Sequence, residues 1–202
     1  MVTLEQTSDA GRRPVKAMSS RWIRNLLTTA IVLLGCAFAH VSPAEELQEF
    51  TEKRATPPLE LKDMHGKLHS LADYSGQVVM VNFWAGWCHP CLQEIPQLIE
   101  LAESLKDKPF TILAVNVAAE KKIAGYGFVK KMDEHMVILM DIDSKAFESW
   151  KGIGLPSTFV LDPAGVIRYE AYGPVNWNRA DVVAAFTALM DGPSADDATA
   201  KE

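Results

Sequence analysis

Residues 84–91 of this chain read Trp84-Ala85-Gly86-Trp87-Cys88-His89-Pro90-Cys91. Two cysteines separated by two residues have the spacing of a disulfide that opens and closes. An apolar run precedes the pair and a helical pattern follows it, so we expect Cys88 at the start of a helix. The free N–H groups and positive dipole end of a helix stabilise a thiolate there. The stretch therefore predicts dithiol–disulfide exchange.

The composition of the chain limits the remaining possibilities. It has 202 residues, 48% of them hydrophobic, which is enough for one domain with a core. A formal net charge of −6 without a basic stripe argues against nucleic acid as a partner. The third cysteine, Cys36, lies in an apolar N-terminal segment. A structural disulfide framework is therefore excluded for the domain.

The N-terminal region has the pattern of an export signal. Arg21 and Arg24 precede an apolar run at residues 26–39, which ends in small residues at a candidate cleavage site. Three outcomes stay open: cleavage, lipidation at Cys36, or an uncleaved membrane anchor. Because the first 17 residues are polar, translation starting at Met18 is an alternative to Met1.

Composition also indicates the domain boundaries. Residues 1–44 are predicted to be a leader with a signal peptide or membrane anchor, and the charged residues 45–57 a linker. Residues 58–190 form the predicted domain, and residues 191–202 a disordered acidic tail.

Within the domain, apolar periodicity predicts alternating strands and helices. Strands are expected at residues 59–63 and 67–71 as a hairpin at a sheet edge, then at 78–84, 110–117, 137–140, 158–161 and 166–171. Helices are expected from residue 90 to about residue 105 with a kink at Pro96, and at residues 121–135, 144–151 and 179–190. A strand, helix and strand of this length imply parallel pairing.

The motifs of this chain resemble those of the thioredoxin superfamily. They are Trp-Cys-x-Pro-Cys after a buried strand, Glu94 and Pro96 within the following helix, and a later Leu-Pro-Ser-Thr at residues 155–158. Within that superfamily the chain is similar to the exported, often membrane-tethered TlpA/ResA-type thiol-disulfide oxidoreductases, which include cytochrome c maturation proteins. The resemblance covers about residues 59–190.

The resemblance implies an α/β, thioredoxin-like fold with a central mixed β-sheet flanked by helices, an N-terminal β-hairpin and an inserted helix–strand segment. It also implies that Cys88 is the exposed nucleophile and Cys91 the buried resolving thiol. Pro156 matches a proline that is cis in these folds, in a loop opposite the sulfurs.

Glu94 is the candidate proton acceptor for Cys91. It lies three residues beyond Cys91 and shares a helix face with it. Thioredoxins commonly carry an Asp at the strand position occupied here by Asn82, and Asn cannot accept a proton. The alternative is that Glu94 is a solvated residue on the helix surface.

Four residues near the sulfurs are candidates for binding substrate: Trp87, His89, Pro90 and Leu155. A protonated His89 would favour the thiolate of Cys88, although simple exposure explains this residue equally well. Aromatic packing is the alternative role for Trp87.

Metal binding is the main chemical alternative for the cysteine pair. The pair could be half of a zinc site, but no second cysteine pair supplies the other ligands. His65 and His69 are four residues apart, but Gly66 and the hairpin pattern do not suit a helical ligand pair. Both histidines are predicted to be surface residues. A copper-binding assembly factor on the same fold would use both sulfurs and a histidine, but such relatives typically have Cys-x-x-x-Cys. We predict no metal and no cofactor.

The sequence thus predicts an exported enzyme of the periplasm or the outer face of the cytoplasmic membrane. Its Cys88 thiolate attacks a disulfide in an envelope protein, and Cys91 resolves the mixed disulfide. The resemblance favours reduction of substrates such as apocytochrome c or an oxidase assembly factor, with a membrane thiol-electron transporter as the reductant. A disulfide oxidant or isomerase is the alternative within this class.

Overall fold

The computed structural model describes residues 47–52, 55–117 and 123–192. The predicted leader, Cys36 and residues 193–202 of the predicted tail lie outside the described residues. Within the described ranges, no helix combines the length and the apolar character needed to cross a bilayer.

The described residues form eight strands. In chain order they are β1 (Gln48–Glu49), β2 (Glu60–Lys62), β3 (Leu68–Ser70), β4 (Val78–Trp84), β5 (Phe110–Val117), β6 (Val137–Asp141), β7 (Ser157–Leu161) and β8 (Ile167–Tyr172). Six of them make one sheet in the spatial order β1-β8-β7-β4-β5-β6. β4 pairs parallel with β5 and antiparallel with β7. The central mixed sheet predicted from the resemblance is confirmed.

Helices cover both faces of this sheet. They are α1 (His89–Ser104), α2 (Val129–Asp133), α3 (Lys145–Ser149) and α4 (Ala180–Met190), with short 3-10 turns at Leu71–Tyr74 and Ile123–Gly125. All seven residues of β4 are buried, which explains why its sequence is almost continuously apolar. Alternate side chains of a strand point to opposite faces, so β4 contributes to two cores. Met80 packs on the face covered by α1, and Phe83 on the face that carries Trp150.

The hairpin of β2 and β3 is confirmed and lies at the edge of the sheet. Beside it, Asp63 bridges to Leu139 of the edge strand β6. The prediction that His69 is a surface residue is wrong. Its side chain points inward from β3 and is buried, with Nδ1 2.6 Å from the Tyr74 hydroxyl and Nε2 3.0 Å from a carboxylate oxygen of Asp63. His65 is exposed, as expected, and its Nε2 lies 2.8 Å from Asp133.

Two segments differ from the expectations. Residues 48–49, within the predicted linker, form β1 and pair antiparallel with β8. The charged residues around this strand indicated a linker in the sequence. The strand forms because Leu47 and Phe50 on either side of it pack against the two cores. In place of one helix over residues 121–135, the described part has a 3-10 turn and the separate five-residue α2. Gly125 ends the 3-10 turn and Gly127 lies between the turn and α2, and two glycines so close together disfavour a continuous helix.

Candidate active site

The two cysteines lie at the N-terminus of α1, as predicted. Cys88 is the N-cap residue in an extended conformation, and its Sγ accepts a hydrogen bond of 3.3 Å from the backbone N–H of Cys91. Pro90 occupies the first turn, where its missing N–H leaves no helical hydrogen bond unmade. Cys88 and Cys91 are joined as a disulfide. The sulfur of Cys88 is therefore positioned among the free N–H groups of a 16-residue helix.

The two sulfurs differ in their access to solvent. Cys91 is completely buried, and Cys88 retains 5% of its surface and lines a groove. Cys88 is thus less exposed than the resemblance implied, because its sulfur is bonded to the buried sulfur of Cys91. The order of exposure is nonetheless the expected one. Cys88 is the sulfur of the pair that a substrate can approach.

The loop before β7 lies at the same end of the sheet as the cysteines. The Leu155–Pro156 peptide bond is cis, as the resemblance implied. Ser157, the next residue, pairs with Phe83 near the end of β4. Because β4 leads directly into the cysteine loop, this pairing brings the Pro156 loop beside the disulfide.

A groove of about 720 Å³ opens next to Cys88. All four predicted substrate-binding residues line it: Trp87, His89, Pro90 and Leu155. Trp87 is 66% exposed, so packing inside the core does not explain its position. Exposed apolar surface beside a reactive group is typical of a binding site.

Glu94 is buried, with 2% of its surface exposed, so it is not a solvated residue of the helix surface. Its Oε1 accepts a hydrogen bond of 2.9 Å from Asn82 Nδ2, and its Oε2 accepts one of 3.1 Å from Trp177 Nε1. Burial raises the pKa of Glu94 to about 7, although these bonds and one from the backbone of Val175 act to lower the pKa.

This carboxyl group can exchange a proton near neutral pH. A side chain whose pKa lies near the working pH is well suited to general acid–base chemistry. Glu94 and Cys91 are both on the buried stripe of α1, three residues apart. The arrangement therefore provides a buried proton acceptor on the face of α1 that carries the buried sulfur.

Two members of this network were not predicted from the sequence. Trp177 lies in the segment between β8 and α4, 83 residues away from Glu94 in the chain. Thr158 on β7 accepts a hydrogen bond of 2.9 Å from the same amide of Asn82. The motif at residues 155–158 draws attention to Thr158, but no local pattern identifies Trp177 as a partner of Glu94.

Comparisons with known proteins agree with this geometry. Residues 44–189 match the Redoxin family. The thiol-disulfide oxidoreductase ResA of Geobacillus kaustophilus is 33% identical over 151 residues, covering 72% of this chain and 85% of that protein. ResA of Bacillus subtilis is 32% identical over 120 residues, covering 59% of this chain and 66% of that protein. The thioredoxin-like protein YneN of Bacillus subtilis is 31% identical, covering 75% and 89% of the two chains.

Solved structures share the fold. A secreted thiol-disulfide isomerase from Corynebacterium glutamicum superposes with a TM-score of 0.63 at 22% identity, covering 76% of this chain and 96% of that one. A DsbF homologue from Corynebacterium diphtheriae gives a TM-score of 0.57 at 24% identity, covering 75% and 96%. At these identities the likeness concerns the thioredoxin-like architecture alone.

Proposed function

This chain belongs to the Redoxin family and is a TlpA/ResA-like thiol-disulfide oxidoreductase of the thioredoxin superfamily, and we propose that it is an exported reductase of disulfides in envelope proteins. One observation carries the proposal. The Cys88–Cys91 disulfide sits at a helix N-terminus with only Cys88 lining the groove, while a buried carboxyl group lies on the same helix face as Cys91.

The proposed reaction starts from the dithiol form. The Cys88 thiolate attacks one sulfur of the substrate disulfide, whose S–S bond breaks, and the departing substrate thiolate takes up a proton. The Cys91 thiolate then attacks the Cys88 sulfur and releases the second substrate thiolate. The substrate gains two electrons, and the protein is left with the Cys88–Cys91 disulfide.

Glu94 has the proposed role of accepting the proton of Cys91. Cys91 has no solvent access of its own, so its proton needs an acceptor inside the protein. A carboxyl group with a pKa near 7 can accept this proton and release it again within one cycle.

We place the reaction outside the cytoplasm. The basic flank and apolar run at residues 26–39 support export, with cleavage, lipidation or anchoring as the possible fates of the N-terminus. In an oxidising compartment the protein disulfide must be reduced again, which requires a membrane thiol-electron transporter as its partner. Proteins whose cysteine pairs must be kept reduced for haem or copper attachment, such as apocytochrome c or an oxidase assembly factor, are the proposed substrates.

A trapping variant tests the reaction. In Cys91→Ser the resolving sulfur is absent, so the first mixed disulfide should accumulate and be released by dithiothreitol. Cys88→Ser is the matched control and should trap nothing. If Cys91→Ser recovers no more disulfide-linked partner from the envelope than this control, the proposed reaction is wrong.

The reduction potential tests the direction. A reductase should have a strongly negative potential, in the range of about −270 mV found for thioredoxin. A value near the oxidising extreme of about −120 mV would assign the protein as a disulfide oxidant instead. Equilibration with glutathione or dithiothreitol redox buffers, read by alkylation and mass spectrometry, gives this value.

A further inference from the structure

One wall of the groove beside Cys88 is formed by α3. This short helix follows β6, whose last residue, Asp141, is completely buried. The Asp141 carboxylate accepts hydrogen bonds from the backbone N–H groups of Ala146 (3.1 Å) and Phe147 (2.8 Å). These bonds satisfy N–H groups in the first turn of α3 and fix the helix to the end of the sheet.

The aromatic ring of Phe147, which belongs to this wall, packs against Gly152. A Cβ atom at Gly152 would lie 2.0 Å from a ring carbon of Phe147, so the ring packs directly on the glycine backbone. The Gly152 N–H also donates a 3.0 Å hydrogen bond to the carbonyl of Phe147. The centroid of the Phe147 ring also lies 5.5 Å from that of the Phe83 ring. Phe147 is therefore a fixed apolar surface of the groove.

Glu148 gives the same wall a negative charge. It is exposed. Among the described residues that line the groove it is the only acidic one, and none of them is lysine or arginine. Among the described residues, Glu148 forms no ion pair within 4 Å. The two nearest lysines in the sequence bind other carboxylates: Lys145 binds Asp143 at 2.5 Å and Lys151 binds Glu52 at 3.2 Å. The pKa of Lys145 is raised mainly by Asp143, and the charge of Glu148 adds a smaller contribution.

An anionic group at the edge of an apolar groove favours a substrate with complementary charge. We propose that Glu148 is a specificity-determining residue, which selects disulfides in peptide segments that carry Lys or Arg beside the reactive cysteine and an apolar side chain for the Phe147 and Ile153 surface. The proposal rests on the proposed function of the Cys88–Cys91 pair. Ile153 is 78% exposed and also lines the groove, which is a feature expected of a peptide-binding surface. Charge complementarity of this kind governs partner choice and association rate.

Single-turnover kinetics test the proposal. The peptides have equal length and differ only at the position next to a cysteine. This position is Lys, Gln or Glu. That cysteine carries a thionitrobenzoate group through a disulfide. The pre-reduced protein attacks the peptide sulfur, the bond to thionitrobenzoate breaks, and the coloured thiolate that leaves reports the second-order rate constant.

The wild-type protein should react fastest with the Lys peptide and slowest with the Glu peptide. The rate constant should fall by about two- to fivefold from the Lys peptide to the Gln peptide, and by a similar factor from the Gln peptide to the Glu peptide. This is the range of an exposed charge pair. Glu148→Gln should make the three rate constants equal, and Glu148→Lys should reverse their order. Glu134→Gln is the matched control, because Glu134 is also exposed and does not line the groove. This control should keep the wild-type order.

Two results would overturn the proposal, and they are distinguishable. If the wild-type protein reduces all three peptides at one rate, or Glu148→Lys keeps the wild-type order, the specificity role is wrong while the proposed reaction stands. If the Gln peptide, which carries no charge at this position, is not reduced at all, the proposed function fails and this role fails with it.

Discussion

Glu94 shows how one residue acquires a chemistry that its type alone does not give. On a solvated helix surface it would be ionised throughout the neutral range. Here burial favours the protonated form, and hydrogen bonds from Asn82 and Trp177 favour the ionised form. Burial is the larger effect, so the pKa of Glu94 rises to about 7.

The raised pKa of Glu94 makes folding stability depend on pH. Between the unfolded value of 4.5 and the folded value of about 7, the folded protein binds more protons than the unfolded chain. The contribution of Glu94 to the unfolding free energy is therefore fully present below pH 4.5 and is lost as pH rises through about 7. Relative to Glu94→Gln, the wild-type protein should lose on the order of 2 kcal/mol of unfolding free energy between pH 5 and pH 8. Urea titrations at each pH measure this loss.

The exposed Glu60→Gln serves as the control, and it should keep the pH dependence of the wild-type protein. Parallel pH profiles for the wild-type protein and Glu94→Gln would show that the pKa of Glu94 is not raised on folding.

Trp177 should lower the pKa of Glu94 through its indole N–H. Trp177→Phe keeps a ring against Phe186, 6.5 Å away in the wild-type protein, and removes the donor. The pKa of Glu94 should then rise above about 7, so that the loss of stability extends to higher pH. Urea titrations from pH 6 to pH 9 measure the shift. Glutamine does not titrate, so the same substitution in the Glu94→Gln background should leave the pH dependence of the unfolding free energy unchanged. A change of that pH dependence would contradict the assignment.

At the scale of elements, α3 and the segment after it form the wall of the groove. Gly152→Ala places a Cβ atom against the Phe147 ring, which must move. We expect a loss of about 1–3 kcal/mol of unfolding free energy and slower reduction of peptides with a large apolar side chain. Denaturant titration and the single-turnover assay measure these effects.

Gly154→Ala provides a matched control for the packing argument. Gly154 also lines the groove, but a Cβ atom there has nothing within 4 Å. Its unfolding free energy should stay within about 0.5 kcal/mol of the wild-type value. Equal losses in the two variants would contradict the packing described for Phe147.

The elements that local pattern specifies were predictable. The apolar run of β4, the start of α1 at the cysteines and the antiparallel pair of β7 and β8 all follow from neighbouring residues. The broken helix over residues 121–135 was not predicted, because a mixed pattern with two glycines fits both outcomes. The sequence also pointed to Glu94 as a candidate, but its pKa is set first by burial and then by hydrogen bonds, including the one from Trp177. Contacts over such a distance in the chain leave no local pattern.

For the molecule as a whole, the domain extends further toward the N-terminus than composition indicates. β1 completes one edge of the sheet, and the Phe50 N–H donates a 2.8 Å hydrogen bond to the carbonyl of Arg168. The Phe50 ring packs against the core on the β4 face that carries Phe83.

Phe50→Ala should therefore lower the unfolding free energy by about 1–2 kcal/mol, because it removes a partly buried aromatic ring. Thermal or urea unfolding measures the change. Glu49→Ala, an exposed position on the same strand, should have an effect within about 0.5 kcal/mol. A Phe50→Ala variant as stable as the wild-type protein would show that this segment is a linker, as composition alone suggested.

The proposed reaction depends on a Cys88 thiolate that is stabilised at the N-terminus of α1 and accessible from the groove. The most direct measurement is the rate of alkylation of each cysteine in the reduced protein as a function of pH, read peptide by peptide in a mass spectrometer. Cys88 should react at pH 7 with a midpoint well below the value of about 8.5 for a free thiol, while Cys91 stays protected. A midpoint for Cys88 at or above about 8.5, or faster alkylation of Cys91 than of Cys88, would contradict the account.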